Sequence, residues 1–231
     1  MHDAHVHIHD EEIVLEHIEC IANAQNANEY AFLSSFGDLH ISVGLHPWDV
    51  ETVDYDSLVP LFDLAECIGE IGMDTVWTKT DLALQRFYFE KQLALAIELH
   101  KPVILHTKGM EKPIVDLIRQ YPNSYLVHWY SCMEYLQEYI DCGCWFTIGP
   151  SILTDPAVKQ AANQVPLDKL LIETDGLSAL EWCEGHPVLP LQYRSYLQRT
   201  IHELSFIRSI PEAKMEEILD ANFHRFLKST I

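Results

Sequence analysis

A chain of 231 residues with 35 Asp plus Glu against 15 Lys plus Arg carries a formal charge of −20, which repels polyanions and acidic lipid surfaces at long range and also keeps a protein soluble. Hydrophobic residues at 48% and charged residues at 22% give an ordinary globular balance that excludes a disordered chain. No run of eighteen apolar residues is present, and MHDAHVHIHD lacks the basic and apolar regions of a secretion signal, so a cytoplasmic protein without membrane attachment is expected.

The length suits one barrel domain over residues 1–231. Short apolar runs bounded by turn residues alternate with segments of helical period, the pattern of a parallel sheet. In chain order the predicted strands are Asp3–Ile8, Ile18–Asn23, Ile41–Leu45, Cys67–Glu70, Pro102–His106, Ser124–His128, Cys144–Ile148 and Leu170–Thr174. Eight is the number that closes an α/β barrel, so the fold class is a (β/α)₈ TIM barrel. Between Asp10 and Glu16 there is room for only a couple of helical turns, which predicts a shortened first crossover.

The clearest helix is Asp81–His100, where Phe89, Leu93 and Ala96 share a face. Others are predicted at Ser57–Ala65, Lys112–Tyr121, Met133–Asp141, Pro156–Gln164, Pro190–Ser205 and Pro211–Lys228. The six cysteines read as free thiols, because Cys142-Gly-Cys144 lacks the C-x-x-C spacing of zinc and redox motifs.

Asp3, His5 and His7 alternate along the first strand, so a period of two points all three into the lumen. A histidine-rich start can also be the remnant of an affinity tag, but alternation with Ala4, Val6 and Ile8 fits a buried strand better. What ends the other strands adds weight. Glu70, His106 and His128 close three of them and Asp175 follows another, and parallel barrel strands all end at one face. Four imidazoles and two carboxylates suit borderline divalent cations such as Zn²⁺ or Mn²⁺ better than an all-oxygen set would.

These stretches together resemble the TatD-like metal-dependent hydrolases of the amidohydrolase superfamily. Asp3-Ala-His5-Val-His7 is similar to the family's D-x-H-x-H, Gly44-Leu-His46-Pro47 to G-x-H-P, and Ile68-Gly-Glu70-Ile-Gly-Met-Asp74 to I-G-E-I-G-L-D. Gln85, Phe89 and Gln92 match Q-x-x-x-F-x-x-Q, Ile104-Leu-His106 and Val127-His128 the two later histidines, Glu173-Thr-Asp175 E-T-D, and Asn222 with Arg225 N-x-x-R.

The resemblance implies two divalent cations (Zn, Mn or Mg), one held by His5, His7 and Asp175 and the other by His106 and His128, with Glu70 bridging. It implies a metal-bridging hydroxide as nucleophile, with Asp175 orienting it and accepting its proton. His46 is expected at the substrate. Asp74 either supports the site or caps the next segment, Lys108 either meets a substrate anion or is an exposed loop lysine, and Glu173 orients a ligand or the substrate. The remaining histidines, His2, His40 and His224 among them, read as surface or packing residues. Trp48, Trp129, Tyr130 and Trp182 follow strands and either wall a pocket or anchor loops.

Where many members carry H-C-F-S-G this chain has His128-Trp-Tyr-Ser-Cys132, and the proline that commonly follows E-T-D is absent. The loops that choose a substrate therefore differ. The leading expectation is an exonuclease-like deoxyribonuclease acting on DNA ends. Hydrolysis of a small phosphoester, amide or lactone is the alternative, and a non-catalytic metal-binding protein is a third class. No stable protein partner is expected. Only Lys79, Lys108 and Lys112 are placed near the catalytic face to meet phosphates.

Overall fold

The computed structural model describes residues 1–9, 18–37 and 39–229. Eight parallel strands, β1 (His2–Val6), β2 (Glu19–Ala24), β3 (His40–Val43), β4 (Cys67–Gly72), β5 (Val103–His106), β6 (Tyr125–Val127), β7 (Trp145–Ile148) and β8 (Leu170–Ile172), pair in sequence order. Nine α-helices are found among the described residues: α1 (Ala27–Leu33), α2 (Tyr55–Phe62), α3 (Leu82–Glu98), α4 (Glu111–Ile118), α5 (Leu136–Asp141), α6 (Pro156–Gln164), α7 (Leu177–Glu184), α8 (Tyr193–Arg208) and α9 (Glu212–Leu227). All eight expected strands are present, the second included. The first crossover, expected to be short, lies outside the described residues. Two helices, α1 and α7, were not anticipated.

The alternation of side chains along each strand divides the interior into two cores. Val6, Val43, Ile68, Val103, Leu105, Val127, Phe146 and Ile172 face outward into the layer shared with the helices. Ala4, Ile21, Cys67, Ile104, Leu126, Trp145 and Leu171 form a second cluster with Phe223 and Phe226 of α9, which closes the lower lumen. Above that apolar floor the strands carry buried polar residues, Asn23, Ser42, Glu70, Thr147 and Glu173. The floor keeps water out from below, so the polar layer opens only at the C-terminal strand ends.

Helix motifs hold the loops of that face. Gln85 accepts the Asp74 N–H at 2.8 Å and donates to the Asp74 carbonyl at 3.0 Å. One turn-pair further along α3, Gln92 does the same for Leu45, at 2.7 and 3.2 Å. Both amides are buried, and Phe89 between them packs in the core. Asn222 on α9 donates to the carbonyls of Leu167 and Leu170, fixing the entry of β8, and Arg225 bonds Asn222 in turn.

The seam between β8 and β1 is closed differently from the other seven, with no β-ladder pairing assigned there among the described residues. Asp175 N–H donates to the His5 carbonyl at 3.1 Å, while the Asp3 carboxylate accepts from Thr174 N–H at 3.2 Å, from Thr174 Oγ1 at 2.6 Å and from the Tyr193 hydroxyl of α8. This corrects the expectation that Asp3 shares the lumen face of His5 and His7. The β1–β2 register shifts between Asp3 and Val6, which breaks the period of two and turns Asp3 to the seam. Burial pushes the Asp3 carboxyl up to about 7 against the pull of its donors. Tyr193→Phe removes one donor from this buried carboxylate without changing the ring. It should cost about 1–3 kcal/mol of unfolding free energy in a denaturant titration; an unchanged midpoint would show that the seam does not depend on Asp3.

Candidate metal centre

Glu70 is the focus of the polar layer. It is 2% exposed, and its Oε1 lies 2.5 Å from His106 Nδ1, 2.8 Å from His128 Nε2 and 3.4 Å from His46 Nε2. Its Oε2 lies 3.1 Å from His7 Nε2 and 3.3 Å from His5 Nε2. Asp175 Oδ1 completes the group, 3.2 Å from His5 Nε2 and 3.6 Å from His7 Nε2. All six residues expected as ligands are thus brought together, and His46 joins them.

Each side chain is aimed by its backbone. Gly72, beyond Glu70, passes so close to β5 that an added Cβ would lie 1.9 Å from the His106 carbonyl oxygen. Asp175 has φ 63°, a left-handed conformation at the end of β8, and Gly176 at φ 93° runs over His7, where a Cβ would lie 2.5 Å from the carbonyl oxygen. Non-glycine residues with positive φ concentrate at functional sites because surrounding structure must hold them there. Around the cluster, the Asn23 side-chain amide lies 2.9 Å from His5 Nδ1 and Glu173 Oε1 lies 3.6 Å from His128 Nδ1. The Asn23 bond fixes the His5 ring, and both rings turn their opposite nitrogens to Glu70.

Asp74 both supports the site and caps the segment after β4, whereas His46, expected at the substrate, faces Glu70. Asp74 is buried; its Oδ2 accepts from Trp48 Nε1 at 2.7 Å and lies 2.9 Å from His106 Nε2, while its Oδ1 accepts from the N–H groups of Val76 and Trp77. With both oxygens engaged by the protein it positions His106 and shapes the loop after β4. His46 points inward at Glu70, its ring 4.8 Å from that of His106, and has no outward-facing Nε2. Lys108 stands at the mouth, donating to Ser131 Oγ at 2.7 Å. Lys112 is tied to Asp116 at 2.5 Å and Glu138 at 3.6 Å.

Of the aromatic residues expected to wall a pocket, Tyr130 does not: it is 1% exposed and its hydroxyl donates to the Glu134 carbonyl, so it belongs to the core. Trp77, which was not singled out, takes its place. Its ring meets that of Trp182 edge-on at 5.7 Å, and Trp182 meets Trp129 at 6.2 Å. Trp48 stands 5.1 Å from the His46 ring. Trp48, Trp77 and Trp182 are each about half exposed or more. Four of the five tryptophans therefore stand in an arc over the cluster.

Charge balance within the cluster bears on what it holds. Burial alone would raise the Glu70 carboxyl, but His128, His46, His5 and His106 hold it well below the usual range. Burial and His128 would lower His5, yet Glu70 and Asp175 bring it up to about 9, and Glu70 with Glu173 likewise raises His128 against its burial. The protein alone thus compensates its carboxylates with protons on imidazoles. Even so, His5 Nε2, His128 Nδ1, Asp175 Oδ1 and both Glu173 oxygens are buried without a hydrogen-bond partner. Unpartnered buried polar atoms are rare and call for an explanation. Divalent cations would supply one for His5 Nε2 and Asp175 Oδ1, which lie 3.2 Å apart beside Glu70, by replacing protons and coordinating these two atoms.

An eight-stranded parallel barrel with a histidine–carboxylate cluster at its C-terminal mouth defines the class. Within that class the chain belongs to the TatD-related DNase family, whose model matches residues 2–228. It is 25% identical over 154 residues to an uncharacterized metal-dependent hydrolase of Bacillus subtilis, covering 62% of this chain and 60% of that one. It is 26% identical to the deoxyribonuclease Tat-D of Schizosaccharomyces pombe, covering 71% and 59%. The chain thus spans about three fifths of these two relatives. Against a metal-dependent hydrolase of Methanocaldococcus jannaschii it is 25% identical over 98% of this chain and 96% of the relative. The fold matches the YjjV TatD homologue of Escherichia coli with TM-score 0.77 at 24% identity, over 90% of this chain and 85% of that one.

Proposed function

We propose that this chain is a divalent-metal-dependent hydrolase of phosphodiester bonds that works from a nucleic-acid end. The observation that carries this reading is the pair of orphaned atoms, His5 Nε2 and Asp175 Oδ1, beside a buried carboxylate whose two oxygens face five imidazoles. In this reading His5, His7 and Asp175 hold one cation, His106 and His128 hold the other, Glu70 lies between them, and the ions are Zn²⁺, Mn²⁺ or Mg²⁺. Bound there, the cations would polarise the scissile phosphoryl group and make a water acidic near neutral pH.

The chain's own residues supply the rest. Asp175 is held below the usual carboxylate range, its burial outweighed by His5 and His7, so it is ionised and can accept the proton of the attacking water. Glu173 keeps His128 in place and Asp74 keeps His106. The apolar floor shuts bulk water out from below. Lys108 is the cation at the mouth for one further phosphate.

The net charge of −20 and the pairing of Lys112 with acids leave little to neutralise a long backbone, since binding through many phosphates needs many cations. An end asks for fewer contacts, and the tryptophan arc provides another kind. Stacking of a base on an aromatic side chain is worth about 1–3 kcal/mol. Alanine at both Trp77 and Trp182 should therefore raise KM for an oligonucleotide by between about fivefold and about a hundredfold, with little change for one ending in abasic residues. An equal effect on both would mean that the arc only shapes the loops.

The whole reading is tested by kcat/KM for a 3′-ended oligonucleotide, closed circular duplex DNA, and a panel of small phosphoesters, lactones and amides in one metal and salt. Preference for the oligonucleotide is expected. Efficient cleavage of the closed circle would overturn end-directed action, and preference for a small ester would overturn the nucleic-acid assignment.

A further inference from the structure

The opposite face of the barrel carries a second gathering of histidines and carboxylates. His2 begins β1, Glu19 begins β2, and Asp220 and His224 lie one turn apart on α9, so both point at the same spot. His2 Nε2 lies 3.1 Å from Asp220 Oδ1 and 3.3 Å from Glu19 Oε2, and His224 Nε2 lies 3.5 Å from the same Glu19 oxygen. The His2 ring is fixed by stacking on Phe223 at 4.3 Å and is 6% exposed, whereas the other three are open to solvent. His40 holds the remaining Glu19 oxygen at 2.9 Å.

We infer that His2, Asp220 and His224 form a separate divalent-cation site at the N-terminal face of the barrel, best suited to Zn²⁺, with Glu19 beside it. With ligand bonds of about 2.0–2.1 Å, the edges of a tetrahedron around Zn²⁺ are about 3.3–3.4 Å. The His2–Asp220 separation of 3.1 Å is close to that edge, and one ligand atom from each of His2, Asp220 and His224 lies within 4.8 Å of the others. One imidazole N–H cannot satisfy two carboxylates at once, whereas an ion between His2, Asp220 and His224 would meet all three donors.

The site joins the first strand to the last helix. That helix carries Phe223 and Phe226, which close the lumen, and β1 carries His5 and His7. An ion here therefore acts as a clasp on the floor of the barrel, and its presence does not depend on what the mouth hydrolyses.

The test is metal stoichiometry, not turnover. Chelator-stripped protein is reloaded with Zn²⁺ and weighed by native mass spectrometry, alongside His224→Ala and Asp220→Ala. Both substitutions are at exposed helix positions that should leave the fold intact, as circular dichroism would verify. Each variant should hold one ion fewer than the unaltered chain, and the rise in melting temperature on adding Zn²⁺ should shrink. A third measurement isolates the site: Glu70→Ala should retain an ion that Glu70→Ala/His224→Ala lacks. Equal stoichiometry in the unaltered chain and both single variants would overturn the inference and leave a proton-linked ion-pair network in its place. Failure of the nuclease reading would leave these stoichiometries unaffected.

Discussion

Replacing Asp175 by Asn is expected to abolish nearly all turnover while most of the metal stays bound. The amide is isosteric and retains an oxygen for weak coordination, but it cannot accept the proton of the attacking water. Loss of a positioned general base typically costs about 10²–10⁴ in rate. The effect belongs in kcat, with KM little changed, because Asp175 faces His5 and His7 within the cluster. Metal content by elemental analysis and single-turnover rates on an oligonucleotide decide the matter. Retained turnover, or metal loss as large as in the next variant, would contradict the separate role given to Asp175.

Replacing Glu70 by Ala should have the opposite balance, with metal lost first and activity lost as a consequence. Five imidazoles lie within 3.4 Å of one or the other of its two oxygens. Without that carboxylate the imidazoles face one another in a buried layer with their compensating charge removed. Breaking a buried charge cluster in this way costs about 3–5 kcal/mol. The metal-free variant should therefore unfold at lower denaturant than the metal-free parent. A variant that binds its cations normally would show that Glu70 is not shared between them.

Much of this site was legible in the sequence because a parallel barrel converts a one-dimensional pattern into a common address. A polar residue after an apolar run of four or five becomes a residue at the mouth, and His106, His128, Glu70 and Asp175 were all found that way. The motif glutamines of α3 read as repeats in the sequence and become clamps on the backbones of Asp74 and Leu45 in the fold. What failed did so for local reasons. Asp3 was assigned to the lumen by a strict period of two, and one register shift in β1 moved it to the seam.

Trp77 and Tyr130 show a different limit. Both follow strands by a few residues, and nothing in composition says which ring turns outward; the bonds from Val76 and Trp77 N–H to Asp74 decide the first, and the Tyr130 hydroxyl bond to Glu134 decides the second. Helix α1 was overlooked although its start was written in the chain. Asn26 caps the N–H groups of Asn28 and Glu29, and Glu29 reaches back to Gln25 N–H. His2, Glu19, Asp220 and His224 gather only because α9 folds under the barrel, a relation between the two ends of the chain that no local pattern carries.

The central claim is that the residues around Glu70 hold the metal that does the chemistry. Anomalous diffraction from crystals of active protein grown with Mn²⁺ or Zn²⁺ tests it most directly. Density is expected on both sides of the Glu70 carboxylate, within about 2.0–2.3 Å of its oxygens, one peak reaching His5, His7 and Asp175 and the other His106 and His128. Active protein whose crystals show no ion within coordination distance of Glu70 would contradict it.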